Sequence, residues 1–510
     1  MTYTLQDYFT AVGLKNPVPF ASGIEVILPE LEPGVPPAPM EHQISGLRLV
    51  IKYDRYGLYD DPGTGKSLQS YGYILYWKSE GQRTLAVMPP ILLDQYADEL
   101  FKTMCGADKV LTHHILRDSP KKREALYTEW SAGGYPDLLC MSYQMFLKEF
   151  DALTNMGYAV LVADEAQALK NDSSGIFKKV QEFLERPEGA AFLPMTGTPD
   201  PNHLEDFYGL TKLLDPDSYK SKRAFDLLHS VYTMIYLKNP QRTKTGKVIT
   251  RRRIRSGYKR TDLLRERAYK YARRVIRSDV SAISEPVITT LPIKLDKTHL
   301  ALYKKLVRER ILELEDDVII TALTEQSLRQ KALQVVTCPD HFVADNVKIK
   351  NNILEAVQAV IDGVDIKRTK VILFCNFRGT VESVSEHFKK YNPAIIYGGK
   401  GSNKLNKEKF LNDDSCRVLV ANTKSAGVGL NLQHVCHTIV FVEPTGVPGD
   451  FKQALERVVR HLQKNQVTVT VISAKGTIAP KAIASMMSKT AASQEVHQDR
   501  VSLLDLYQVA

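Results

Sequence analysis

Apolar positions along the 510 residues follow two rhythms. Short runs with almost no polar interruption recur before Asp200: "TLAVM", "LLCM", "AVLVA" and "AFLPM". A second set follows Asn351: "VILFC", "AIIY", "VLVA", "TIVFV" and "VTVTVIS". Between the runs the spacing changes to that of helices, as at Leu92, Tyr96 and Leu100 in "ILLDQYADELFKTM" and through "HQISGLRLVIKY". Short apolar strands separated by helices predict parallel sheets buried on both faces. Polar residues gather just after the runs, at the strands' carboxyl ends, where such sheets bind ligands. The expected fold class is α/β, with two tandem parallel-sheet lobes of one architecture at residues 41–215 and 346–490.

The alternation weakens between 216 and 345. Here "RRRIRSGYKRTDLLRERAYKYARRVIR" offers a helical stripe of Leu264, Ala268, Tyr271, Ala272 and Val275. Arg265, Arg267, Lys270, Arg273, Arg274 and Arg277 surround it. "TTLPIKLDKTHLALYKKLVRERILELEDD" then reads as a long helix, so a basic helical insertion and linker is expected between the lobes. Residues 1–40 end in "LPELEPGVPPAPM", whose five prolines predict an extended lead-in. A tail at 491–510 reads as a polar linker and a short amphipathic helix, which docks back on the lobes or offers a protein partner a surface.

Charge changes the picture more than composition does. The chain carries a formal net charge of +10, and Arg242 to Arg277 hold fifteen Lys/Arg against only Asp262 and Glu266. So concentrated a segment suits a polyanion, or else a solvated helix face. Tyr258, Tyr269 and Tyr271 within it fit base stacking or a core stripe. The six cysteines form no C-x-x-C pair, which argues against zinc or a disulfide framework and fits a reducing, cytoplasmic compartment. "MTYTLQDYFTAVGLK" lacks the basic start and apolar core of a signal peptide. No apolar run nears the ~18 residues that span a bilayer, so no membrane role is expected.

The strongest chemical signal is "DDPGTGKS" at 60–67. Glycines let backbone N–H groups turn toward phosphate oxygens at a helix N-terminus. Lys66 would then reach the β- and γ-phosphates of ATP, and the Ser67 hydroxyl would ligate Mg²⁺. The strict pattern wants a small residue where Asp60 stands. Its partner is "VLVADEAQALKN": an apolar strand delivers Asp164 to hold the metal through water and Glu165 to orient and deprotonate the attacking water.

These strings resemble the superfamily 2 helicase motor, whose further motifs follow in order. "MTGTPDPN" is similar to the third motif, "NTKSAGVG" with "LNLQ" to the fifth, and "QALERVVRHLQ" to the sixth. Gln43 stands where that family reads adenine. Within the superfamily, "DDPGTGKSLQ", "DEAQALKN", "TGTPDPNHLEDFYGL" and "ISAKGTIAP" look like SWI/SNF-type DNA-dependent ATPases, in a compact form similar to phage and bacterial members. Leu462-Gln463 replaces the usual Gly-Gln, and Asp61-Pro62 the usual acidic-Met lead.

The resemblance implies two RecA-like lobes. It assigns Gln43, Pro62, Gly63, Thr64, Gly65, Lys66, Ser67 and Gly429 to the nucleotide, and Lys66, Asp164, Glu165, Gln167, Arg457 and Arg460 to catalysis, with Ser67 and Asp164 on the metal. Arg457 and Arg460 would supply the finger that stabilises γ-phosphoryl charge. Nucleic-acid contacts are expected from Pro89, Thr198, Asn376, Arg378 and Thr423 at strand ends. The basic segment adds Arg251, Arg252, Arg253, Lys259 and Arg260. The implied function is an ATP-driven translocase, acting as a monomer in a bacterial or phage-infected cytoplasm and remodelling DNA forks or junctions. Stripping proteins from DNA, or nucleotide-gated DNA binding with little motor output, are the alternatives.

Overall fold

The apolar runs fold as strands because their side chains alternate between two cores. In a computed structural model of the chain, Ala86, Cys140 and Val162 enter one cluster, while Leu85, Leu139 and Leu161 enter another on the opposite face. Both faces bury hydrocarbon, so neither leaves a polar mark in the sequence. Each large apolar side chain contributes about 1.5–3 kcal/mol by leaving water. The structure describes residues 3–4, 25–26, 40–105, 111–186, 190–242, 248–280, 284–316, 322–343, 349–398, 402–426, 432–460, 463–498 and 507–508.

The first unit comprises residues 1–226 with 262–281. Its seven-stranded sheet runs Ala272–Arg273, Gly57–Leu58, Ala191–Met195, Tyr158–Asp164, Arg83–Met88, Leu138–Ser142, His113–Leu116, all parallel. The helix predicted from "HQISGLRLVIKY" is Glu41–Lys52, and the one following the glycine loop is Lys66–Ser79. "DLLCMSYQM" is a strand only to Ser142, whose hydroxyl caps the next helix, Tyr143–Thr154, by accepting from Met145 N–H.

The second unit comprises 227–261 with 282–510. Its sheet runs Ala394–Ile396, Val418–Asn422, Lys370–Cys375, Cys436–Phe441, Thr468–Ala474, Val287–Ile293, Tyr507–Gln508, again all parallel. Phe374 and Ile439 face one core and Leu373 and Val440 the other.

Three expectations are corrected. First, the basic segment is not one helix. Val248–Tyr258 is a strand paired antiparallel with Ser230–Arg242, and Thr261–Ala268 is helical, with Leu264 and Ala268 buried. In a helix, Arg251 and Arg255 would stand four apart and repel, with no carboxylate to relieve them. In the ribbon, Val248, Thr250 and Ile254 suit the pleat, and the arginines fall opposite neutral residues. Second, the long helix begins at Lys297, because Val287–Ile293 is a strand inside the second sheet. Third, the expected polar linker at the start of the tail is helical; the short amphipathic helix expected after it falls mostly on residues 499–506, outside the described residues. Ala479–His497 is one continuous helix, and Tyr507–Gln508 is a strand paired with Ile288 and Thr289. The proline-rich lead-in lies almost wholly outside the described residues.

Candidate nucleotide site and the basic segment

The loop before Lys66–Ser79 depends on glycines at two positions. Gly63 and Gly65 have φ of 82° and 85°, a region that glycine enters without Cβ cost. A Cβ on Gly65 would also stand 2.1 Å from Gln43 Nε2. Gln43 is thereby seated against the loop. Its Nε2 donates to Thr64 O at 3.1 Å, its Oε1 accepts from Met40 N–H at 2.9 Å, and His42 Nε2 lies 2.7 Å from the same Thr64 carbonyl. The Thr64 hydroxyl closes the turn by donating to Asp61 O. Lys66 curls over its own loop, donating to Asp60 O at 2.6 Å and Asp61 O at 3.1 Å. A phosphate, being anionic, outcompetes neutral carbonyls for that ammonium. Glycines in left-handed geometry, a helix N-terminus and a lysine within one turn fit a triphosphate. Ser67 is half-buried at the head of the helix, and Pro62 in the loop is likewise half-buried.

The acid pair stands at the end of Tyr158–Asp164, separated from the strand that leads into the loop by Ala191–Met195. Asp164 Oδ1 accepts from Glu165 N–H at 2.9 Å, and the Tyr143 hydroxyl donates to Asp164 O at 2.9 Å. Glu165 has φ 53°, a left-handed conformation uncommon for a side-chain-bearing residue and concentrated at functional sites. A hydrogen-bonded line leaves it: Gln167 Nε2 donates to Glu165 Oε2 (2.8 Å), the Thr196 hydroxyl to Gln167 Oε1 (2.7 Å), and Thr198 N–H to the Thr196 hydroxyl oxygen (3.0 Å). In the same loop, a Cβ on Gly197 would stand 2.5 Å from Pro62 Cδ. Glycine loop, acid pair and third motif therefore touch in series within one lobe.

Asp60, which stands where the strict glycine-loop pattern wants a small residue, is fully buried. A buried carboxylate requires a partner. Arg273 Nη2 donates to Asp60 Oδ2 at 2.7 Å and to Gln69 Oε1 at 3.0 Å, while Arg273 Nη1 reaches His42 O at 2.6 Å. Val275 N–H supplies Asp60 Oδ1 at 2.9 Å. Next to it, Asp61 accepts from Arg274 Nη2 and from the backbone N–H of Arg277, each at 3.1 Å. Backbone bonds from Tyr59 N–H to Arg273 O and from Asp61 N–H to Val275 O lay this strap along the strand that leads into the glycine loop. The arginines at 273 and 274, expected around a solvated stripe, are thus nearly buried counter-ions. Tyr269 and Tyr271 take the core reading: Tyr269 packs on Tyr59 and Phe207, and Tyr271 on Tyr53. Sequence reasoning marked Asp60 as odd but did not find its partner.

The ribbon is the opposite environment. Arg251, Arg253, Lys259 and Arg260 are exposed; the Arg252 side chain lies outside the described ones. The remaining strand-end candidates differ among themselves. Pro89 is half-buried, and Thr198 is buried. In the second lobe the Thr423 hydroxyl is buried and donates to Cys375 O and Asn376 Oδ1, both at 3.2 Å. Asn376 N–H donates to Glu443 Oε2 at 2.6 Å, and the Thr380 hydroxyl to Glu443 Oε1 at 2.9 Å. Glu443 is fully buried; burial pushes its carboxyl up to about 7 against these donors. Sequence reasoning missed it, although "VFVEP" placed an acid at a strand end. Arg378 is exposed and donates to Glu382, with Tyr397 beneath its guanidinium. Arg457 and Arg460 lie just beyond the helix Pro448–Leu455. Arg457 is buried, with Nε donating to Gln453 O at 3.1 Å, and Arg460 is half-buried. Gly429 lies outside the described residues.

Two parallel-sheet lobes, the first with a glycine-loop helix beside an acid pair, define a helicase-type ATPase. The profile of the SNF2-related domain matches residues 42–341, and that of the helicase conserved C-terminal domain matches 352–462. The chain belongs to the SNF2-related family. It is similar to an uncharacterized ATP-dependent helicase of Mycoplasma pneumoniae, 26% identical over 86% of this chain and 40% of that one. It is also similar to the ISWI chromatin-remodeling complex ATPase ISW2 of Saccharomyces cerevisiae (23%; 90% and 41%) and to the DNA repair and recombination protein RAD54B of Mus musculus (25%; 89% and 54%). The chain therefore spans about half the length of these relatives or less. Among solved structures, the Sulfolobus solfataricus SWI2/SNF2 ATPase core in complex with dsDNA matches with a TM-score of 0.39 and 20% identity, over 94% of this chain and 96% of that one. No helix among the described residues is long and apolar enough to cross a membrane.

Proposed function

We propose that this chain is a DNA-dependent ATPase that converts ATP hydrolysis into translocation on duplex or branched DNA, with fork and junction remodelling as its task. One observation carries the motor reading: the line Glu165–Gln167–Thr196–Thr198 joins the water-activating carboxylate to the third-motif loop. A change at the γ-phosphate that moves Glu165 is passed along this line to Thr198, a proposed nucleic-acid contact. Lys66, Pro62, Gly63, Thr64 and Gly65 hold the phosphates, and Gln43 reads the base. Ser67 and Asp164 hold Mg²⁺. Among the described residues no three His, Cys, Asp or Glu side chains cluster to cage an ion. The metal would therefore lean on phosphate oxygens and water, as magnesium commonly does. Arg457 and Arg460 are the proposed finger. Pro89, Asn376, Arg378 and Thr423, with the ribbon's Arg251, Arg252, Arg253, Lys259 and Arg260, are the proposed DNA contacts. A relative named for DNA repair and recombination supports this reading, and one named for chromatin remodeling supports the alternative of stripping proteins from DNA.

The test is ATP turnover with single-stranded, duplex, forked and four-way DNA and with RNA. Lys66→Ala and Glu165→Gln serve as hydrolysis-dead references. Branched DNA is expected to stimulate most. Stimulation by RNA alone overturns the substrate; duplex outdoing branched DNA favours protein stripping along linear DNA.

A further inference from the structure

The ribbon has a chemistry that phosphate binding does not explain. From Ser230 to Arg260 the chain has ten Lys/Arg and not one Asp or Glu. Its register places Tyr232 opposite Arg255, Met234 opposite Arg253 and Tyr236 opposite Arg251. Directly opposed residues share a face, as do alternate residues along a strand. One face therefore carries Tyr232, Met234 and Tyr236 interleaved with Arg251, Arg253 and Arg255. The Arg253 guanidinium, 3.7 Å from the centre of the Tyr232 ring, confirms that the two rows meet. Tyr236 is 79% exposed and Met234 46%, so large apolar surface stands in water beside the cations.

We infer that this face binds unpaired nucleic-acid strand, with Tyr236 and Met234 taking bases and Arg251 and Arg253 taking phosphates. The inference rests on the nucleic-acid reading above and adds the form of the ligand. Charge complementarity selects a polyanion, and a ribbon sequence without carboxylates offers no internal competition for it. The apolar half of the face then selects among polyanions. An intact duplex presents phosphates outward and hides the faces of its bases, so Tyr236 and Met234 would gain nothing from it. Unpaired bases expose those faces and stack on aromatic rings whatever their identity. Spacing agrees. At ~3.4 Å per residue, Met234 and Tyr236 are about 7 Å apart. Bases stacked in a duplex follow at ~3.4 Å and could not meet both side chains in succession, whereas an unstacked strand could. A face of this kind at a fork or junction would hold the strand that has lost its partner.

The experiment uses the full chain and fluorescence anisotropy with labelled oligo-dT, a blunt duplex of the same length and a forked duplex. Tyr236→Ala is expected to weaken oligo-dT binding roughly ten-fold or more while duplex binding stays within about two-fold. Tyr236→Phe is expected to restore it. Because Tyr236 is exposed, neither change should move the melting temperature, which is measured alongside. Equal weakening on oligo-dT and duplex, or weakening on neither, overturns the inference and leaves the translocase reading standing. A wild-type chain that binds none of the three DNAs overturns the translocase reading itself.

Discussion

Two stretches of one basic segment, 248–258 and 271–277, do opposite things with arginine. In the ribbon that ends at Tyr258, the cations lie along a strand pair whose sequence holds no acid, and Arg251 and Arg253 stand in water. In the strap at 271–277, Arg273 and Arg274 are nearly buried and bound to Asp60 and Asp61, between the strand Gly57–Leu58 and the glycine loop. Net charge sees one block; burial and pairing separate an interface from a clamp. The acids that complete the clamp lie over two hundred positions upstream, which is why the surplus looked unrelieved. Asp60 and Arg273 thus explain one another: the residue least like the expected loop needs the arginine least like a surface arginine.

The sharpest way to break this contrast is Arg273→Ala. Removing one partner of a buried pair strands the other, at a cost of about 3–5 kcal/mol. Unfolding of the first lobe followed by denaturant titration should show that destabilisation, with ATP turnover falling in parallel. Asp60→Ala combined with Arg273→Ala should recover part of it, because no charge is then stranded. A double variant as unstable as the sum of the singles would mean that the pair is not coupled.

Glu443 sharpens the contrast from the other side, as a buried acid that accepts from the Asn376 backbone N–H and the Thr380 hydroxyl. Its carboxyl is raised from the ordinary 4.5 to about 7, chiefly by burial. The folded state therefore holds the proton more tightly. Its contribution is full below the ordinary value and is lost as pH rises to about 7, on the order of 3 kcal/mol. Stability against pH should show this decline in the wild type and flatten in Glu443→Gln. A flat wild-type profile across that window would argue that the site stays ionised throughout.

The smallest effect on stability is expected for the ribbon. Arg251→Ala, Arg253→Ala and Arg255→Ala together should leave the melting temperature unchanged. They should reduce the slope of log affinity against log salt on duplex DNA by about 2–3, near one unit for each phosphate no longer neutralised. A drop in melting temperature instead would make the ribbon structural and erase the contrast with the strap.

The legible part of the fold was the part with one dominant physical cause. Runs such as "VILFC" feed two hydrophobic cores at once, and nothing but a doubly buried strand uses them that way. Gly57–Leu58 and Ala272–Arg273 are too short to show any period, so the strap's strand left no trace. Val287–Ile293 merges with the helix after it because "TTLPIKL" mixes polar and apolar residues without strict alternation. The ribbon resembles a helix because a helical stripe can be drawn through its neighbour Thr261–Ala268 and extended backwards over arginines that belong to a strand. In the candidate site, local strings alone were enough to propose Lys66, Asp164 and Glu165. The line through Gln167 and Thr196 and the seat of Gln43 against Gly65 were not legible in them, since they depend on contacts between separate strings.

The two-residue strand Tyr507–Gln508 has a practical meaning beyond its size. It pairs with Ile288 and Thr289 on the outer edge of Val287–Ile293, occupying main-chain groups that would otherwise invite another chain. Shortening the protein just ahead of it would turn an internal strand into an open margin and favour self-association. A purification handle fused close to it would compete for the same margin, so handles belong elsewhere on this molecule.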